Sequence, residues 1–97
     1  MAHTQFATRE TTLLHMSKVE KTFEKIMSGK SDENISFDDL CSLLTRLGFD
    51  SRQQGTSHRV YQLGAAFANV QEGKSGKAKG YQVRQIRRHL QNLNIRP

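Results

Sequence analysis

Apolar positions change their period twice along the chain. Leu13, Met16, Val19, Phe23, Ile26 and Met27 recur at spacings of three and four, which predicts a helix over residues 12–28 with a single apolar stripe. Gly29 follows the last apolar position, where a helix C-cap belongs, and residues 29–34 (GKSDEN) form a polar break. Ser36 with Asp39 three residues on is the pattern of a capping box, with Asp in place of the stronger Glu. The helix it opens carries Phe37, Leu40, Cys41, Leu44 and Leu47 on its apolar face and ends at Gly48. Beyond Gly48 the period shortens. Residues 49–53, 58–63 and 66–71 read as three short strands separated by turns at 54–57 and at Gly64, an antiparallel meander. Residues 72–80 (EGKSGKAKG) hold three glycines and three lysines and predict a mobile loop. Val83, Ile86, Leu90 and Leu93 restore the helical period over residues 81–94, with Arg84, Arg87, Arg88 and Gln91 on a different face.

The order helix, helix, strand, strand, strand, helix predicts an α+β fold, a three-stranded antiparallel sheet with helices on one face and the other face partly open. Residues 1–11 are polar and aperiodic and are expected to be a flexible N-terminus; residues 12–97 are expected to form one domain. No run approaches the length of a membrane helix, and Met1 to Phe6 lacks the apolar segment of a secretory signal. With Cys41 as the single cysteine, an internal disulfide framework and a cysteine-rich zinc site are excluded, and a reducing cytoplasmic location is expected. Cys41 falls on an apolar helix face and reads as a small buried hydrophobe.

Charge changes this picture. The net +6 is concentrated in residues 71–97, where Lys74, Lys77, Lys79, Arg84, Arg87, Arg88 and Arg96 face Glu72 alone. A basic segment of this kind suits a polyanion, most often nucleic acid; a solvated surface that keeps the chain soluble is the plainer alternative. Asp32, Glu33, Asp38 and Asp39 cluster at a helix start, where acidic side chains complement the dipole, and no spacing in the chain forms a metal cage or a nucleotide-binding loop. Of the four histidines, His3 lies in the N-terminal segment, and His15 and His89 sit beside apolar stripes. His58 follows Gly55, Thr56 and Ser57 at the entry to a strand, a position that combines support with access. Imidazole exchanges protons near neutral pH. RNA carries its own nucleophile, the ribose 2′-hydroxyl, so a histidine that moves a proton and cations that stabilise the phosphate are sufficient for cleavage without a metal.

The residues that carry these features resemble a known family. Phe37-Asp38-Asp39-Leu40-Cys41, Leu47-Gly48-Phe49, Gly55-Thr56-Ser57-His58 and Tyr81-Gln82-Val83-Arg84-Gln85-Ile86-Arg87 look like the HicA toxins of toxin–antitoxin modules, across roughly residues 18–93. The resemblance implies a double-stranded-RNA-binding-domain-like fold, an mRNA interferase that arrests translation, and His58 as the catalytic residue; from the residues themselves no cofactor is expected. It also implies RNA contact through Lys77, Lys79, Arg84 and Arg88, and a HicB-like antitoxin as protein partner. The chain departs from the pattern twice. Thr56 and Ser57 stand where glycine–serine–histidine–histidine is frequent, and Gly80 stands where a proline commonly precedes the tyrosine, which loosens the loop. A non-catalytic RNA-binding module on the same fold is the alternative function. A DNA-binding accessory protein is disfavoured because strands follow the second helix directly, leaving no helix-turn-helix.

Overall fold

A computed structural model describes residues 16–54 and 58–97. Among these residues the chain forms helices α1 (Lys18–Ser28) and α2 (Phe37–Arg46), strands β1 (Asp50–Gln54), β2 (His58–Leu63) and β3 (Ala66–Gln71), and helix α3 (Gly80–Leu93). Short 3-10 turns lie at Asp32–Asn34 and Lys74–Gly76. The fold is α+β, as the period changes predict. The strands pair antiparallel in the order β1-β2-β3, with Gln54 opposite His58, and His58 in turn opposite Gln71.

The start of α1 differs from the expected residue 12. Ser17 is its N-cap: its hydroxyl accepts from the Glu20 N–H at 3.1 Å, while the Glu20 carboxylate accepts from the Ser17 N–H at 2.8 Å. This reciprocal pair satisfies two free amides and stops the helix there. Met16 sits three residues before Val19 and so continues the period without being helical. Leu13 and residues 1–11 lie outside the described residues. At the other end Gly29, at φ 72°, closes α1 with its N–H on the Ile26 carbonyl, as its position after the stripe predicts. Ser36 caps α2 by accepting from the Asp39 N–H at 3.3 Å. The Asp39 carboxylate lies 3.8 Å from Lys18 Nζ, so it ties α2 to α1.

One core lies between the helices and the sheet. Phe23 and Ile26 of α1, Leu40, Leu43 and Leu44 of α2, and Val83, Ile86 and Leu90 of α3 meet Tyr61, Ala66, Ala68 and Val70. Cys41 is buried in this cluster; burial pushes its thiol pKa up, which keeps it protonated and unreactive. Phe49, expected within the first strand, instead precedes it as a core residue. The described part of β1 is exposed at Ser51, Arg52 and Gln53, so it is a polar edge strand with little share in the core. No helix of the described residues is long and apolar enough to cross a membrane.

Residues 72–80 depart from the predicted mobile loop. The Gly73 N–H donates to the Lys77 carbonyl at 2.7 Å, and the Ala78 N–H donates to the Ile35 carbonyl at 2.8 Å. Glu72 and Ala78 pair as a bridge, Ser36 pairs with Lys77, and Ala78 is buried in the core. Glycine and lysine content reads as loose chain, yet one apolar anchor and two backbone bridges fix the segment, one closing it on itself at Glu72 and Ala78 and one joining it to Ile35 and Ser36 before α2.

Candidate nucleic-acid interface

β2 and β3 bring the two halves of the sequence-predicted site together. His58 is exposed at the first position of β2, directly across the ladder from Gln71, the last residue of β3. Paired residues project from the same face, so both lie on the face away from the core. The Gln71 side-chain carbonyl accepts from Lys79 Nζ at 3.1 Å. Its backbone N–H donates to Gln82 Oε1 at 2.9 Å. Gln71 thus joins the strand end that carries His58 to the first turn of α3. Neither Gln71 nor Gln82 is singled out by the sequence, although Gln82 left a trace. It stands four residues before Ile86, at the margin of an apolar stripe, where a buried amide needs a partner.

Lys77, Lys79 and Arg84 line one open groove of about 940 Å³, together with Lys74 and the exposed Tyr81. Glu33 and Glu72 also line it, so its four cations face two carboxylates. Arg84 Nη1 lies 3.9 Å from Asp32 and 3.8 Å from Glu33, which commits part of its charge within the protein. Arg88 is exposed one turn further along α3 and does not line the groove. Gly55, Thr56 and Ser57 lie outside the described residues.

The structure divides the basic segment further. Arg87, which the sequence groups with the exposed arginines, turns inward. Its guanidinium donates to Asp32 Oδ1 at 2.8 Å and Oδ2 at 3.1 Å and to the Ile26 carbonyl at 2.9 Å. This hydrogen-bonded pairing, ahead of the charge attraction, holds the Asp32 carboxyl below its ordinary pKa. Asp32 and Glu33 therefore face α3, whereas Asp38 and Asp39 do sit in the first turn of α2 as expected. Gly80, read from the sequence as a loosening of the loop, is buried at the start of α3, and a Cβ there would collide with the Glu33 carboxylate. Glycine thus admits a negative charge to a helix N-terminus that Lys79 does not cap through its side chain.

Lys77 and Lys79 are the groove cations with no ion-pair partner among the described residues that were also expected to meet RNA. Replacing both with alanine should flatten the dependence of log affinity on log salt by roughly 0.7 for each lost phosphate contact to a single strand. Replacing Arg84 and Arg88 should change it less. Fluorescence anisotropy with a labelled oligoribonucleotide across a salt series measures both; equal flattening by the two pairs would contradict this division of the cations.

Among the described residues no group of three or more His, Cys, Asp or Glu is placed to hold a metal ion. Compared with family models, with curated proteins and with solved structures, the chain finds no match in any of the three.

Proposed function

We propose that this chain is a HicA-type toxin, an endoribonuclease with a double-stranded-RNA-binding-domain-like fold that cleaves mRNA and so inhibits translation. The junction at Gln71 carries the reading: it links the strand end that bears an exposed histidine to a lysine that lines the groove. In the proposed reaction His58 moves a proton, either from the 2′-hydroxyl that attacks the adjacent phosphorus or to the leaving 5′-oxygen. The bond from phosphorus to the 5′-oxygen breaks, and a 2′,3′-cyclic phosphate remains. Lys79 and Lys77 offset the charge that builds on the phosphate oxygens. The same cations are the surface that an acidic HicB-like antitoxin would cover, excluding RNA by competition.

Purified protein incubated with single-stranded RNA in EDTA tests the reaction. Cleavage to cyclic phosphate ends at an undiminished rate is expected. Loss of cleavage restored by magnesium would refute the metal-independent mechanism. Binding without cleavage under all conditions would favour the non-catalytic RNA-binding module, whose supporting observation is the same groove.

A further inference from the structure

The open face of the sheet carries one feature that proton transfer and phosphate contact leave unused. Phe67, on edge strand β3 at the end of a mostly polar surface, is 51% exposed. The register puts it opposite Gln62 of β2, which is in turn opposite Asp50 of β1. With Arg52 and Val60 these residues line a recess of about 180 Å³. Val60 is buried yet stands outside the core cluster, because it forms part of this recess on the opposite face of the sheet. The Gln62 amide donates to the Gly64 carbonyl at 3.3 Å, which steadies one wall.

We infer that this recess is a stacking subsite for one unpaired RNA base, with the Phe67 ring as its platform; the inference rests on the RNA reading above. Three observations favour a base. The first is composition. Among the described residues of this face only Phe67 and Val60 are apolar, too little surface for an apolar protein partner, whereas one aromatic ring ringed by amides and charges suits a planar heterocycle with polar edges. The second is charge. Arg52 lies in the recess and Lys79 at the far end of the face, so a polyanion is held at both ends. Asp50, across Gln62 from Phe67 in the same recess, disfavours a phosphate there and offers an acceptor to a base amino group. The third is distance. His58 and Gln62 are four residues apart on β2, roughly 13 Å along the strand, a separation that a short run of nucleotides spans. RNA held in the lysine groove and crossing His58 would continue along the open face to Phe67.

Phe67 is largely solvent-exposed, so its removal leaves the core intact. In a His58→Ala background, which keeps the RNA whole, Phe67→Ala should weaken binding of a short single-stranded oligoribonucleotide by roughly tenfold. The salt slope should not change, since stacking releases no counterions. Phe67→Tyr should retain affinity and Phe67→Leu should not. Unchanged affinity in Phe67→Ala, alongside a flattened slope in the Lys77 and Lys79 double variant, would remove the subsite and leave the RNA reading standing. Leucine serving as well as tyrosine would mean plain apolar docking and would likewise overturn it. If the parent protein binds no RNA, the RNA reading itself fails and the subsite goes with it.

Discussion

His58→Ala protein is expected to lose RNA cleavage by roughly 10²–10⁴-fold, the usual contribution of a positioned acid–base group. Its fold should be unchanged. His58 is exposed at the end of a strand, its backbone pairing with Gln54 and Gln71 does not depend on the imidazole, and the core contains none of its atoms. RNA affinity should fall little, because the groove cations lie on the loop before α3 and on α3 itself. The measurement is paired: single-turnover cleavage of a labelled RNA and equilibrium binding of the same RNA, with circular dichroism as a check on folding. A variant that cleaves at the parental rate removes His58 from the mechanism. A variant that loses cleavage and binding in equal measure makes His58 a binding residue and favours the non-catalytic module.

Arg87→Ala should be the most destabilising of the changes to the basic residues. The guanidinium makes three hydrogen bonds, two to the Asp32 carboxylate and one to the last turn of α1, at 18% side-chain exposure for Arg87 and 12% for Asp32. Removing it leaves a largely buried carboxylate with only the longer Arg84 contact and a helix-end carbonyl without its donor, a loss of about 3 kcal/mol. For a domain of this size the thermal midpoint then falls by more than about 10 °C. Arg87→Lys keeps the charge but not the two-pronged geometry, and should recover only part of the loss. The pH dependence follows from Asp32. Its folded-state pKa is lowered, so this contribution is present above the ordinary carboxylate range and is lost as pH falls through the lowered folded value. Denaturant melts between neutral and acid pH should show that loss in the parent and a smaller one in Arg87→Ala, where only the longer Arg84 contact remains. An equal acid sensitivity in both would rule out the Asp32 pairing as its source.

Neighbouring arginines of one helix have different roles. Arg84 and Arg88 are exposed, whereas Arg87 fastens α3 to the turn between α1 and α2. Variants that neutralise the basic segment as a block would therefore mix lost RNA contact with lost stability. Lys77 and Lys79 separate the two.

Periodicity alone determined most of the architecture. A spacing of three and four survives in any context, because a helix must turn one stripe to the core; the stripe of Val83, Ile86 and Leu90 is fully buried. The change of period after Gly48 located the three strands, and their short connections allowed only antiparallel neighbours. His58 at a strand entry was likewise legible, because turn chemistry is local. The rest required the fold. Periodicity ran through Met16 because an apolar pattern does not register a cap, and the Ser17–Glu20 exchange that starts α1 is a matter of hydrogen bonds. Composition marked residues 72–80 as loose, whereas Ala78 meets Ile35 only once the chain has doubled back. Arg87 and Arg88 are indistinguishable as letters; the position of Asp32 on another element decides that one is structural. The link from His58 through Gln71 to Lys79 depends on strand register and on where α3 begins. The recess around Phe67 depends on three strands lying side by side. Side-chain convergence across elements distant in sequence is a property of packing, and linear spacing carries no record of it.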